Sequence, residues 1–228
     1  MLENEITIVI SSKKTTNEML PFFENISNTC GVKAHIIYAI NDGSVSLSKV
    51  YSNALKESKT DIVLFIHDDI EFLRKNWGKQ IVYMFNEHQE YGIIGVAGSA
   101  EFDENAMWWN YEKKYGQILH RNEGNSWLTT FSPLLTKDLE EVCVIDGLFM
   151  AVHKQRITKD FDETLNGFNF YDIDFCLSNF LDGKTKIGVT THIRLAHNSI
   201  GNLTENWYAN KILINEKYKQ YYPIKIKN

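Results

Sequence analysis

Short apolar runs alternate with longer stretches of helical period along the first part of the chain. Ile6 to Ile10 is a β-rich run that stops at Ser11-Ser12-Lys13-Lys14. From about Asn17 to Asn28, Met19, Leu20, Phe22, Phe23 and Ile26 form one apolar side, the spacing of an amphipathic helix. Ala34 to Ile40 repeats the strand pattern and ends in the turn formers Asn41-Asp42-Gly43-Ser44. Leu47, Val50, Tyr51, Ala54 and Leu55 then predict a helix over Leu47 to Ser58. Ile62 to Ile66 is continuously apolar and bounded by polar residues, which predicts a strand buried on both faces. Trp77 to His88 reads as a further helix and Tyr91 to Gly98 as a fourth strand. Strands alternating with helices of this length imply right-handed crossovers and a mostly parallel sheet flanked by helices, an α/β fold.

Between Ser99 and Lys137 the alternation stops. Aromatic residues accumulate there, among them Phe102, Trp108, Trp109, Tyr111, Tyr115, Trp127 and Phe131. A long irregular region inside a compact domain is usually functional. The pattern resumes at Val142 to Val152, an apolar strand interrupted by Asp146-Gly147. A helix follows from Tyr171-Asp172-Ile173-Asp174 to its close at Asp182-Gly183, then a strand over Lys186 to Thr190. Ile193 to Ala196 runs into His197-Asn198-Ser199, and Glu205 to Tyr222 is helix-like up to Pro223.

Composition narrows the class. With 228 residues of which 43% are hydrophobic, the chain can bury a full core, and a single domain over 1–228 is expected. The formal charge is −5 and the lysines are scattered, which argues against nucleic acid as a partner. Met1-Leu2-Glu3-Asn4-Glu5 lacks the basic start and long apolar core of a secretory signal, and no run approaches the roughly eighteen apolar residues of a spanning helix. Cys30, Cys143 and Cys176 are odd in number and set among apolar residues, so they are expected as reduced, structural thiols in a cytoplasmic protein. Asn25-Ile26-Ser27 and Asn202-Leu203-Thr204 then match the glycosylation pattern by accident.

The densest chemistry is His67-Asp68-Asp69, directly after the Ile62 to Ile66 run. Ligands of open α/β sheets sit at the carboxyl ends of the strands. A histidine and two carboxylates at such an end are placed to hold a hard cation and the phosphates it binds; the alternative is a polar strand-to-loop turn.

Four segments in this order resemble the family 2 glycosyltransferases, nucleotide-sugar enzymes of the GT-A fold, over nearly the whole chain and closest to the small StrF-like branch. Phe65-Ile66-His67-Asp68-Asp69 stands where that family carries Asp-x-Asp, with His67 at the first acidic position and Asp69 at the second. Asn41-Asp42-Gly43-Ser44 resembles the Asp-Asp-Gly-Ser loop that holds base and ribose, and Asp146-Gly147 the central strand facing the acceptor. Tyr171-Asp172-Ile173-Asp174 resembles the Glu-Asp segment that supplies the catalytic base, with Tyr171 where the family usually has Glu.

The resemblance implies a metal-dependent, inverting transfer of one sugar from a nucleoside-diphosphate sugar, by expectation a UDP-sugar, to a glycan, lipid-linked or small-molecule acceptor in polysaccharide or antibiotic-like biosynthesis. Mn²⁺ or Mg²⁺ would neutralise the leaving diphosphate, with Asp69 and His197 as ligands and His67 and Asp68 beside the nucleotide. Ser11, Ser12, Asn41 and Asp42 would meet the base and ribose; turn chemistry alone also explains the last two. Asp172 would take the acceptor's proton, with Asp174 as a stand-in, against helix capping as the alternative for either. The aromatic region would stack the acceptor or form a satellite core. Residues up to about 98 would bind the nucleotide and those from about 99 the acceptor. Peripheral contact with the inner face of a membrane is compatible with this reading.

Two other enzyme classes lack their markers in this sequence. Trp207 lacks the Gln-x-x-Arg partners of processive synthases, and Ser11-Ser12-Lys13-Lys14 lacks the glycine-rich basic loop of sugar-nucleotide pyrophosphorylases. A domain that binds UDP and a divalent metal without turnover is the non-enzymatic alternative, motivated by His67 and Tyr171.

Overall fold

The computed structural model describes residues 5–132, 137–201 and 203–226; the Met1 to Asn4 start and Asn202 of the second glycosylation match lie outside them. The chain begins with β1 (Glu5–Ser12), α1 (Thr16–Thr29), β2 (Lys33–Ile40), α2 (Leu47–Glu57) and β3 (Ile62–Ile66), the two expected crossovers. α1 starts on a capping box in which Thr15 and Glu18 satisfy each other's backbone N–H groups, and α2 starts on Ser46. Next come β4 (Ile70–Phe72), α3 (Trp77–Glu87), β5 (Tyr91–Gly95), β6 (Ala97–Ser99) and β7 (Glu101–Phe102). The hairpin β8 (Lys114–Asn122) and β9 (Asn125–Thr130) leads to β10 (Glu140–Val142), β11 (Val144–Ile145) and β12 (Phe149–His153). The chain closes with α4 (Tyr171–Leu181), β13 (Lys186–Val189), β14 (Leu195–His197), α5 (Glu205–Tyr218) and β15 (Ile224–Lys225).

The central sheet has the order β10-β13-β5-β12-β3-β1-β2. β2, β1 and β3 run parallel, as do β13 and β5, whereas β12 is antiparallel to both its neighbours and β10 is antiparallel to β13. β12 is reversed because it starts beside the carboxyl end of β3: Phe149 pairs with Ile66, and the His67 N–H donates to the Leu148 carbonyl at 3.2 Å. That return sets Asp146-Gly147 next to the end of β3. Every residue of β3 and β12 is buried, so the core lies on both faces of the sheet centre.

The region 99–137 is more regular than its composition predicts. β8 and β9 build a second sheet of order β11-β6-β8-β14-β4, with β9 on β8. β9 is mostly exposed and its two apolar residues, Trp127 and Leu128, are adjacent, so it carries no period-two signal. Two runs that read as single strands each divide between the sheets: Tyr91 to Gly98 splits at Val96, and Val142 to Val152 at Cys143 and Asp146. The second sheet also orders the site, since β14 pairs antiparallel with β4 and parallel with β8, placing His197 opposite both Ile70 and His120.

The three cysteines are buried and free. Asn25 is held by β4, accepting from the Phe72 N–H at 2.9 Å and donating to its carbonyl at 3.1 Å. Among the described residues no helix is long and apolar enough to cross a membrane.

Candidate active site

His67 and Asp69 leave the end of β3, and β4 follows at once. β14 lies on β4, so the Asn198 N–H donates to the Asp69 carbonyl at 2.8 Å and His197 is brought beside the Asp69 carboxylate. His197 Nε2 lies 3.4 Å from Asp69 Oδ1, and one donor atom each of His67, Asp69 and His197 falls within 4.8 Å of the others. Asp69 Oδ1 is buried and, apart from that approach of His197, has no hydrogen-bond partner among the described residues. Burial pushes the Asp69 carboxyl up, but the hydrogen bond and charge of His197 outweigh it and hold the group well below the ordinary carboxylate value. Burial acts downward on both imidazoles; it prevails at His67, while Asp69 reverses it at His197 and raises that ring. A buried carboxylate oxygen with one imidazole at 3.4 Å and a second within the same cluster is a donor set that a divalent cation fits.

Beside this cluster is a cavity of about 600 Å³. Its polar lining includes His67, His120, Asp146, Asp172 and His197, and its aromatic lining Trp108, Trp109, Phe131, Phe168 and Trp207. Asp172 lies in the first turn of α4. The residue before that turn, Phe170, has φ 66° and makes no side-chain cap. This left-handed conformation costs a non-glycine residue on the order of 1–2 kcal/mol. It is sustained by Trp207, whose ring is 5.2 Å from that of Phe170, and by buried Asn210, which donates to the carbonyls of Asn166 and Asn169 at 2.8 and 3.0 Å. The Asp172 carboxylate Oδ2 accepts from the Gly147 N–H at 2.8 Å, and the first-turn N–H groups of Ile173 and of Asp172 itself also face the carboxylate. Burial and the charge of Asp146 push its pKa up to about 7.

The model of a glycosyltransferase-like family matches residues 6–224. The chain belongs to that family. No curated protein sequence matches it. The fold of this family 2-like domain is GT-A, and it is shared with GalNAc-T7, solved with UDP, GalNAc and Mn²⁺, at 10% identity and a TM-score of 0.59 over 97% of this chain and 50% of that one. It is shared also with S. aureus TarS 1–349 at 12% identity and a TM-score of 0.53, over 93% of this chain and 65% of that one. The glycosyltransferase-like domain thus spans from half to just under two thirds of these neighbours.

The remaining sequence-derived candidates divide into two groups. Ser11, Ser12, Asn41, Asp42 and Asp68 form a rim at the carboxyl ends of β1 to β3. Asp68 turns away from Asp69 toward that rim, where Ser12 Oγ donates to it and Lys14 Nζ stands 3.2 Å away. Asn41 closes its own loop: Nδ2 donates to Ser11 Oγ at 3.3 Å and the Val45 carbonyl at 2.9 Å, and Oδ1 accepts from the Gly43 N–H at 3.1 Å. Asp42 is exposed, and its hydrogen bonds from Ser44 hold it below the usual carboxylate value. Gly43, at φ +102°, lies under Phe168: a Cβ there would be 3.7 Å from the ring, which links this rim to the cavity wall.

Asp174 stands apart. It is 1% exposed, faces α5 and accepts from Lys217 Nζ at 2.7 Å and the Tyr218 hydroxyl at 2.8 Å. It does not line the cavity, because residues two apart on a helix point to different sides. Of the aromatic region, Trp108, Trp109 and Phe131 reach the cavity. Phe102 is core, Tyr111 is bound by Asp103, and Trp127 stacks on His120 at 5.4 Å.

His120 is the polar group that sequence reasoning missed. Nothing around it marks it; only the pairing of β8 with β14 sets its ring 5.9 Å from that of His197, and burial lowers its pKa. Asp146 carried a signal in Asp146-Gly147, but its place beside Asp172 depends on the return into β12.

Proposed function

We propose that this domain transfers a single sugar, with inversion, from a nucleoside-diphosphate sugar to an acceptor hydroxyl. One observation carries the reading: two imidazoles of the cation-type cluster and a carboxylate whose pKa is raised to about 7 line the same cavity. A general base is most effective with a pKa near the working pH and contributes on the order of 10²–10⁴-fold.

Asp69, His67 and His197 would hold a divalent ion, Mn²⁺ or Mg²⁺, which when bound supplies charge neutralisation at the leaving diphosphate. Asp172, fixed by the Gly147 N–H, takes the proton of the acceptor hydroxyl as that oxygen attacks the anomeric carbon. Trp108 and Trp109 offer flat apolar faces on which a glycan, lipid-linked or small-molecule acceptor would stack while its hydroxyl faces Asp172. The rim of Ser11, Ser12, Asn41, Asp42 and Asp68 would meet the base and ribose. Of the described cavity-lining residues only His67 comes from the first 98, which supports a nucleotide-binding half followed by an acceptor-binding half. A UDP donor is supported by the neighbours GalNAc-T7, solved with UDP and Mn²⁺, and TarS 1–349, solved with UDP. The four motif-like segments support grouping the chain with the StrF-like branch.

The test is a panel of nucleotide sugars with Mn²⁺, assayed for hydrolysis and for transfer to mixed acceptors, with the anomeric configuration of any product read by NMR. Turnover with inversion is expected. A retained anomeric configuration rules out Asp172 as base in a single displacement, and UDP binding without turnover on any donor leaves the non-enzymatic alternative.

A further inference from the structure

Tyr171 and His67, two positions at which the sequence departs from the family pattern, touch each other. The Tyr171 hydroxyl lies 3.0 Å from His67 Nε2 across a separation of 104 residues. Tyr171 is 4% exposed, and its ring packs edge-on against Tyr51 at a centroid distance of 5.3 Å. Its hydroxyl sits directly over Gly147, where a Cβ would come within 2.1 Å of that oxygen. Phenylalanine would fill the same space, so packing does not explain the hydroxyl. A buried hydroxyl needs a partner, and His67 is that partner.

His67 is placed to be a ligand, since a ring nitrogen of it falls within the 4.8 Å cluster with Asp69 and His197. With Nε2 engaged by the hydroxyl, Nδ1 is the ring nitrogen left to an ion. Histidines that bind metals generally direct the other ring nitrogen at a fixed acceptor, which sets tautomer and ring plane. We infer that Tyr171 is a positioning residue: it accepts the Nε2–H of His67, fixes that tautomer and so makes His67 the third donor of a two-histidine, one-carboxylate cation site. This rests on the reading of the cluster as a cation site. It adds that the tyrosine in place of an acidic residue serves the metal, whereas Asp172 serves the acceptor.

The test is Mn²⁺ titration, followed by the EPR signal of free Mn²⁺, on wild type, Tyr171→Phe, His67→Ala and the double variant. Tyr171→Phe should weaken Mn²⁺ binding about 10- to 100-fold, the usual loss for a partner of a ligating histidine. The double variant should bind no more weakly than His67→Ala alone, because the hydroxyl acts only through His67. Wild-type affinity in Tyr171→Phe, or losses that add in the double variant, overturns the inference and leaves the cation site standing. No Mn²⁺ binding by the wild type overturns both. Should Tyr171→Phe not fold, ¹⁵N NMR of the wild type loaded with diamagnetic Zn²⁺ decides: His67 is expected as the Nε2–H tautomer, and the Nδ1–H tautomer overturns the assignment.

Discussion

The Gly147 N–H donates to Asp172 Oδ2 at 2.8 Å, joining the turn into β12 to the first turn of α4. This contact needs glycine. A Cβ at Gly147 would come 2.1 Å from the Tyr171 hydroxyl and 3.0 Å from Asp172 Cβ, so any side chain there displaces both residues at once. Gly147→Ala should therefore lower turnover by about 10²-fold, the loss expected for a displacement on the order of 1 Å at reacting groups. Steady-state kinetics beside thermal unfolding checks this; unchanged kcat/KM would show that Asp172 tolerates displacement.

Asp172 should set opposite pH trends in activity and stability. Its pKa is pushed up to about 7 by burial and by Asp146, so a base at this position is half ionised there and kcat/KM should rise with pH through an acid limb near 7. The folded protein also keeps this proton to higher pH than the unfolded chain does. The stability contribution of the protonated group is complete below the unfolded value near 4 and is lost as pH rises through about 7. Asp172→Asn should remove the acid limb together with transfer, flatten this part of the stability profile and keep nucleotide binding. Pre-steady-state transfer assays and pH-dependent unfolding measure the two trends.

The cluster should favour Mn²⁺ over Mg²⁺. Two imidazoles and one carboxylate are nitrogen-rich for Mg²⁺, which prefers oxygen donors, whereas imidazole suits later divalent ions. Mn²⁺ at about 100 times its Kd should add about 2.7 kcal/mol to unfolding. Asp69→Asn or His197→Ala should abolish that shift and metal-dependent UDP binding with it. Thermal shift with and without chelator is the measurement.

Asp174 and Asp172 should separate stability from chemistry. Asp174→Ala removes the carboxylate that accepts from the Tyr218 hydroxyl and Lys217, leaving Lys217 with Asp162 at 2.7 Å and the hydroxyl with the longer 3.2 Å bond to the backbone carbonyl of residue 174, and should cost about 1 kcal/mol of stability, the usual net worth of a lost hydrogen bond. Near-normal kcat at a lowered Tm is expected, opposite to Asp172→Asn. Loss of kcat at unchanged Tm would instead assign chemistry to Asp174.

His153 should make the fold acid-sensitive. It is 3% exposed, both ring nitrogens lack hydrogen-bond partners among the described residues, and burial followed by the charge of Arg156 lowers its pKa. A histidine kept neutral in the folded state costs nothing above the unfolded value near 6.5, and stability falls as pH drops from there toward the folded pKa. His153→Leu should remove this slope below pH 6.5, as read by urea unfolding across pH.

The strand-helix alternation of the first half, the buried strand Ile62 to Ile66 and the polar cluster at its end are legible in the order of residues alone. These are local matters of period, apolar run length and turn residues, which is why β1 to β3 and α1 to α3 fall within a few residues of their expected places. The order of residues also marks Asp69, His197 and Asp172 one by one. Which of the marked groups face one another is a property of the assembled fold. The reversal of β12 puts Asp146 and Gly147 against Asp172, and the register of β14 with β4 and β8 brings His197 to Asp69 and an unmarked His120 to His197. Helical rotation sends Asp174 to α5 while Asp172 enters the cavity. Strand direction, register and helical phase follow from long-range packing, and no local spacing encodes which distant segment will be the neighbour.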